Sequence, residues 1–188
     1  MHKFLLACGV VSLIGLGVAL LSPNHVGAAT ECNGTVTGAI SGGLVVHPGD
    51  NCDVENAIVS GGIQMDGGTL TVCNSRVAGG LNVAVTGANS ASAWVNLGNL
   101  ELGCAGSNLS GGVHISGLQG QIPGDELAAS VELEHNMISG GLTLENNGLV
   151  EVESNTVSGG CTAIGPTSNF FNFLGPNVYT GGNHGCPA

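Results

Sequence analysis

The chain has 188 residues, of which 43% are hydrophobic, 8% are charged and 34 are glycine. Its formal net charge of −11 argues against nucleic acid or an anionic membrane as a partner, because both are themselves negative. The high apolar content and the scarcity of charges also exclude an intrinsically disordered chain, which combines low hydrophobicity with high charge.

The first 29 residues have the features of a secretory signal peptide. His2-Lys3 gives a positive start, residues 4–21 form an apolar core, and residues 26–29 offer a small-residue cleavage site. A membrane anchor is the alternative, since the apolar run is about long enough to span a bilayer, but its glycines favour cleavage. We therefore expect a secreted or cell-surface domain, residues 30–188, with no membrane span and with Arg76 as its single strong base.

A short phrase recurs along this domain: an apolar residue, a small residue, two glycines and another apolar residue. The first glycines stand at 42, 61, 79, 111, 140 and 159. Counted from them, five apolar columns recur with the two-residue alternation of β-strands, and Gly-Gly pairs would break helices. The sequence predicts an all-β, single-domain parallel β-helix (a solenoid) of about six coils, right-handed by preference. A β-sandwich is the runner-up.

The register also makes specific assignments. In the fourth coil it places Leu102 and Cys104 in the inward columns nine and seven residues before the glycine pair. Asparagines gather three to five residues before the pairs and predict a ladder of stacked amides, with turn preference alone as the alternative. These asparagines are Asn56, Asn74, Asn108, Asn136 and Asn155.

Six cysteines remain after the signal peptide, and an even number in a secreted chain implies disulfides. In each of the first two pairs, the two cysteines differ by only one position in their distance from the glycine pair. Neighbouring coils then bring their Cα atoms to about 5 Å, with a bulge to absorb the offset. The predicted pairs are Cys32–Cys52, Cys73–Cys104 and, by remainder, Cys161–Cys186.

Two coils are longer than the rest. Their insertions, at about 84–101 and 116–130, leave at the same corner of adjacent coils, so we expect them to lie side by side. The first carries Trp94 and the second carries Asp125 and Glu126, which are the predicted ligand-binding residues.

The other aromatic residues of the domain gather near its end and predict a cap, from about residue 164, that closes the open end of the solenoid. An aromatic ligand site is the alternative interpretation. These residues are Phe170, Phe171, Phe173 and Tyr179.

Four glutamates on adjacent coils form the best candidate for chemistry. They are Glu132, Glu134, Glu151 and Glu153. Strand alternation predicts that all four point outward, where stacked like charges would repel and raise a pKa. Three interpretations compete: a solvated strand face, a calcium site built from carboxylate oxygens, and the centre of a glycosidase or polysaccharide lyase. Only the second and third assign them a metal-binding or catalytic role.

The pattern resembles a group of small secreted β-helix proteins, mostly uncharacterised and common in actinobacteria. The matching residues are the opening Cys32-Asn33-Gly34-Thr35, the stretch from Leu44 to Cys52, the repeated Asn-x-Val-x-Gly units and the closing cysteine. Such proteins often have Gly-Asn where this chain has Gly-Gly. The resemblance covers the chain after the signal peptide and implies the β-helix fold, but it brings no catalytic residue with it.

These observations together predict a secreted or cell-surface protein with a structural, adhesive or glycan-binding use and no catalytic activity. Its expected partner is a glycan or the cell envelope, and no cofactor is required. The alternative is a carbohydrate-active enzyme that uses the four glutamates, with calcium as a possible cofactor.

Overall fold

The computed structural model describes residues 27–165, 169–172 and 175–188. Most of the predicted signal peptide, and Phe173 of the predicted cap, lie outside these ranges. The described chain is all-β, with one short 3-10 helix at Gly87–Ser92. Its strands are β1 (Thr30–Glu31), β2 (Gly34–Ile40), β3 (Leu44–Val46), β4 (Asn51–Val59), β5 (Ile63–Met65), β6 (Thr69–Cys73), β7 (Arg76–Ala78), β8 (Leu81–Ala84), β9 (Trp94–Leu97), β10 (Asn108–Ser110), β11 (Val113–Ser116), β12 (Val131–Glu134), β13 (Met137–Ser139), β14 (Leu142–Glu145), β15 (Val150–Glu153), β16 (Thr156–Ser158), β17 (Cys161–Ile164), β18 (Phe170–Phe171), β19 (Val178–Tyr179) and β20 (Asn183–His184).

The strands pair in parallel and form three stacks. Stack 1 contains the first halves of β2 and β4, followed by β6, β9, β12, β15 and β18. Stack 2 contains the second halves of β2 and β4, followed by β7, β10, β13, β16 and β19. Stack 3 contains β1, β3, β5, β8, β11, β14, β17 and β20. From β6 onward the chain visits stacks 1, 2 and 3 in turn.

Strand alternation places one face of each stack in a shared apolar core. In stack 2, for example, Val77, Leu109 and Ile138 are paired in register and are buried. β-Branched and leucine side chains fill this core because they pack well on a pleated surface. The predicted inward columns on both sides of the glycine pairs are confirmed, apart from two positions in the fourth coil.

One register assignment was wrong. The inward positions of stack 1 that were predicted for Leu102 and Cys104 are held by Val95 and Leu97 of β9, which pair with Val131 and Leu133. Leu102 is instead 45% exposed. The error arose because counting back from the glycine pair ignored a further inserted segment, residues 98–107, that lies between β9 and β10.

The glycine pairs are required by the close stacking of the corners between stacks 2 and 3. Gly79 and Gly80 both have positive φ, at 114° and 85°. A Cβ atom on Gly80 would lie 2.8 Å from the carbonyl oxygen of Gly111 on the next corner. A side chain here would therefore suffer both backbone strain and a steric clash.

A buried polar ladder satisfies the corner between stacks 1 and 2. The Asn155 side chain donates to Asn177 Oδ1 at 3.0 Å and to the Leu133 carbonyl at 2.7 Å, and its Oδ1 accepts from Asn136 Nδ2 at 3.0 Å. Ser107 and Ser75 continue the ladder with their hydroxyl groups. Each rung satisfies buried backbone groups that would otherwise cost free energy.

The predicted asparagine ladder is therefore correct only for Asn136 and Asn155. Asn56 and Asn74 stand one position earlier, with positive φ, and form a separate exposed pair. Asn108 stands one position later and begins β10 on the outer surface. Residue type alone could not separate these three neighbouring columns.

All three predicted disulfides are present. Their members are Cys32–Cys52, Cys73–Cys104 and Cys161–Cys186, with Cα–Cα distances of 5.3, 5.0 and 6.1 Å. Such bonds persist in oxidising compartments, so they suggest an extracellular protein. Within the described ranges, no helix has the length and apolar character that crossing a membrane requires.

The last strands continue the pattern of the earlier ones. β19 pairs with β16, and β20 pairs with β17. The Tyr179 hydroxyl donates to the carbonyl of Pro187 at 2.7 Å, and Phe170 packs against the core. The end of the chain is thus held by the Cys161–Cys186 disulfide, by the hydrogen bond of the Tyr179 hydroxyl and by parallel strand pairing.

Candidate functional site

One outward-facing column of stack 1 carries most of the polar side chains of interest. Strand register places Asp53, Thr71, Asn96, Glu132 and Glu151 beside one another in that order. Because neighbouring strands are about 4.8 Å apart, the column spans about 19 Å. The two insertions lie against this face and divide it into an open part and a closed part.

The insertions contact each other, as predicted. The backbone amides of Gln119 and Gly120 donate to the carbonyls of Ser90 and Ala93 at 2.9 and 3.0 Å. The first insertion is continued after β9 by the 98–107 segment, in which Asn99 and Cys104 exchange two backbone hydrogen bonds. The Cys73–Cys104 disulfide fastens this segment to β6.

The open part is a groove that we call the Trp94 groove. It has a volume of about 570 Å³ and is lined by Trp94, Asn96, Asp53, Glu55 and Thr71, among others. Leu102 and Pro123, one from each insertion, form part of its wall. Its size falls within the roughly 300–1,000 Å³ typical of ligand pockets.

Three acceptor side chains of the groove, Asp53, Glu55 and Asn96, are available to a ligand. Asp53 is partly exposed and Glu55 is exposed, and neither forms a hydrogen bond or ion pair with a described residue. Asn96 is 3% exposed, yet its Oδ1 atom has no hydrogen-bond partner. An unpaired buried acceptor costs about 1–3 kcal/mol, so a ligand that donates a hydrogen bond to Asn96 Oδ1 would recover part of this free energy.

The closed part is a smaller cavity of about 230 Å³, which we call the carboxyl chamber. Glu132, Glu134 and Glu151 form its floor, and Glu101, Asp125, Glu126 and Leu127 come from the insertions. The four glutamates of the ladder are only 1%, 2%, 8% and 0% exposed, in chain order.

The prediction that the four glutamates lie on a solvated strand face was therefore wrong. They do point away from the apolar core, but the insertions fold over them. The Leu100 amide donates to Glu134 Oε2 at 2.7 Å, and the Asn99 side chain hydrogen-bonds to Glu132. Strand alternation correctly predicted that these side chains point away from the core, but it could not predict which segments cover that face.

Burial changes the acidity of this cluster. Desolvation raises the pKa of Glu132 to about 8 and that of Glu151 to about 8, and it also raises the pKa of Glu134. The hydrogen bond from Asn99 opposes the rise at Glu132, and neighbouring carboxylates reinforce it. At neutral pH Glu132 and Glu151 therefore favour the protonated, uncharged form.

The predicted ligand-binding residues do not share one pocket. Trp94 lines the groove, whereas Asp125 and Glu126 line the chamber. The Asp125 carboxylate accepts backbone hydrogen bonds from Leu127 and Ala129, so it shapes the second insertion. Among the described residues, no three His, Cys, Asp or Glu side chains are arranged to hold a metal ion.

Sequence reasoning missed Asn96 as a site residue. The signal that would have found it is the alternation Val95-Asn96-Leu97, which has the same inward-outward-inward pattern as Val131-Glu132-Leu133. Aligning these two strands would have placed Asn96 beside Glu132, as the structure does.

Comparison of the chain with known proteins found no similar protein. No protein-family model matches the sequence, and neither the curated proteins nor the solved structures gave a match. The function is therefore argued from the site alone.

Proposed function

We propose that this chain is a secreted parallel β-helix protein that binds carbohydrate in the Trp94 groove without catalysing a reaction on it. The β-helix of about six coils is supported by the order in which the chain visits the three stacks. The preference for a right-handed coil follows from the general hand of parallel crossover connections. The stacked corner glycines and the buried ladder support the β-helix as well. Secretion is supported by the three disulfides.

The observation that carries the binding proposal is that one open groove is lined both by Trp94 and by Asn96, whose Oδ1 atom has no hydrogen-bond partner. The apolar C–H face of a sugar ring packs on an aromatic ring, while its hydroxyl groups donate to fixed acceptors at the edge. Asn96 offers such an acceptor, and Asp53 and Glu55 add two more. A few placed polar groups beside an aromatic surface are typical of small-molecule sites.

The binding proposal is tested by titration with oligosaccharides of defined composition. Trp94 is the only tryptophan of the chain, so its emission reports on the groove directly. We expect a saturable spectral shift, and we expect Trp94→Ala to weaken the calorimetric affinity by about tenfold or more. Gln64→Ala, on the outer face of stack 3, is the matched control and should bind normally. If no oligosaccharide produces saturable binding, the proposal fails.

The alternative function is a carbohydrate-active enzyme, a glycosidase or polysaccharide lyase, that uses the four glutamates of the ladder. It has less support because these side chains are buried and the carboxyl chamber is smaller than typical ligand pockets. Release of reducing ends or unsaturated products from a polysaccharide, lost in Glu132→Gln and Glu151→Gln, would favour it. Calcium as its cofactor would be revealed by a calcium-dependent rise in melting temperature.

A further inference from the structure

The Trp94 groove has an unusual balance of hydrogen-bonding groups and charge. Asp53 and Glu55 supply carboxylates, and Asn96 supplies an unpaired amide oxygen. The residues that line the groove include no lysine, arginine or histidine. A ligand in this groove therefore meets acceptors and negative charge, with no cation opposite them.

Part of the donor capacity of the groove is already used within the protein. The Asn74 side-chain amide donates to Asn56 Oδ1 at 2.5 Å. The acceptors, in contrast, are open: neither Asp53 nor Glu55 has a partner among the described residues. A ligand that only accepts hydrogen bonds, or that carries negative charge, would leave these groups unpaired or repelled.

A protonated amine satisfies each of these features. An ammonium group has three donors and no acceptor, and its hydrogen bonds to carboxylates are charge-assisted. The face of an indole ring attracts cations, most strongly among the aromatic side chains. The charge of the whole chain acts in the same direction, since its net value is −11.

We propose that the Trp94 groove is selective for amino sugars with free, protonated amines, so that its natural ligand is a glycan containing glucosamine-type residues rather than their N-acetylated or uronic forms. This inference rests on the proposed carbohydrate-binding function and specifies its ligand. The sugar ring packs on Trp94, the ammonium group lies near Asp53 and Glu55, and a hydroxyl or ammonium hydrogen donates to Asn96 Oδ1.

The test compares two oligosaccharides of equal length, one built of glucosamine and one of N-acetylglucosamine, by calorimetry at pH 6. That pH lies below the pKa of about 8 of Glu132 and Glu151, so these two carboxyl groups beside the groove stay protonated during the comparison. We expect the glucosamine oligomer to bind at least about tenfold more tightly. Raising the salt concentration should reduce this preference, because exposed charges are screened.

A matched pair of double variants separates specific recognition from general attraction to an acidic protein. Asp53→Asn with Glu55→Gln removes two charges from the groove, whereas Glu31→Gln with Glu145→Gln removes two from stack 3. We expect the first variant to lose the preference for the amine and the second to keep it. An equal loss in both variants would show non-specific attraction and would overturn the inference.

The remaining outcomes distinguish the inference from the function on which it rests. If both oligomers bind equally and Trp94→Ala weakens both, the groove binds carbohydrate but the amine selectivity is wrong. If neither oligomer binds and the wider oligosaccharide panel also fails, the binding function is wrong and the inference fails with it.

Discussion

The Trp94 groove and the carboxyl chamber are built on one strand face, yet they present the same functional group in opposite states. Asp53 in the groove is accessible to solvent and unpaired, whereas Glu132, three strands further along the same column, is 1% exposed. The difference arises from the cover and not from the strands. The insertions leave the first part of the column open and close over the second.

This contrast separates two roles for acidic residues in one fold. In the groove, carboxylates are available to bind a ligand. In the chamber, burial favours the protonated form and leaves Glu132 Oε2 without a partner. Ionising a buried carboxyl group that has no counter-ion costs free energy. We therefore expect the chamber glutamates to affect the stability of the fold rather than the binding of a ligand.

Removing the disulfide that holds the boundary should give the largest effect. The Cys73–Cys104 bond closes a sequence separation of 31 residues and anchors the segment whose Leu100 and Asn99 contact the chamber. We expect Cys73→Ser with Cys104→Ser to lower the free energy of unfolding by about 3–4 kcal/mol and to weaken ligand binding, because these cysteines also line the groove. Urea unfolding and calorimetry measure both effects.

The control for the disulfide experiment is Cys161→Ser with Cys186→Ser, which opens a separation of 25 residues near the end of the chain and away from the groove. It should lower stability by about 3 kcal/mol while leaving ligand affinity unchanged. If the Cys73 and Cys104 variant binds ligand as tightly as the wild type, the disulfide does not shape the groove.

The pH dependence of stability is the next largest effect, and its sign is unusual for carboxyl groups. Glu132 and Glu151 have a folded pKa of about 8 against an ordinary value of 4.5. Between these pH values the folded state binds more protons than the unfolded state, so stability falls as pH rises. From pH 5 to pH 8 we expect a loss of about 2–4 kcal/mol in urea unfolding, less than the full shift because a protein relaxes and admits water around buried groups as they ionise.

Two double variants locate the source of this pH dependence. Glu132→Gln with Glu151→Gln keeps the size and hydrogen-bonding ability of the side chains but removes their titration, so the curve should flatten. Asp53→Asn with Glu55→Gln is the matched control outside the chamber and should keep the wild-type slope. If the free energy of unfolding instead rises between pH 5 and pH 8, Glu132 and Glu151 are not protonated in the folded state at neutral pH.

Much of the fold follows from local pattern in the sequence. The glycine pairs set the register, and the register gives inward columns such as Val77, Leu109 and Ile138. It also gives the disulfides, because cysteines at similar phase on neighbouring strands lie close together. These features depend on contacts that repeat from one strand to the next, so a single sequence carries the same signal several times.

The site could not be predicted to the same extent because the insertions do not repeat. Nothing in the periodicity shows that residues 98–107 turn back over Glu134, or that Asp125 folds the second insertion over Glu132. The acidic residues were identified correctly as a cluster, but their burial depends on these two non-repeating contacts. Trp94 was found as an isolated aromatic residue, whereas its partner Asn96 was hidden by the wrong register.

The smallest expected change in stability tests the most specific claim about the groove. Asn96→Thr introduces the residue type that Thr71 already supplies in the same column, and a β-branched side chain suits a strand. It replaces an unpaired buried amide oxygen with a hydroxyl group that can donate as well as accept, so the free energy of unfolding should stay within about 0.5 kcal/mol of the wild type or rise slightly. Ligand affinity should fall by about five- to twentyfold, because a hydrogen bond to the ligand is lost.

Asn82→Thr is the matched control for this variant, since Asn82 occupies an exposed outward position on β8, away from the groove. It should change neither stability nor affinity. If Asn96→Thr instead destabilises the fold by more than about 1 kcal/mol, Asn96 has a structural role that its unpaired oxygen does not reveal. If Asn96→Thr leaves affinity unchanged while Trp94→Ala lowers it, the ligand contacts the aromatic ring without reaching the strand face. In that case the groove and the chamber would differ only in the insertion segments that cover them, and the side chains of the strand column would take no part in ligand binding.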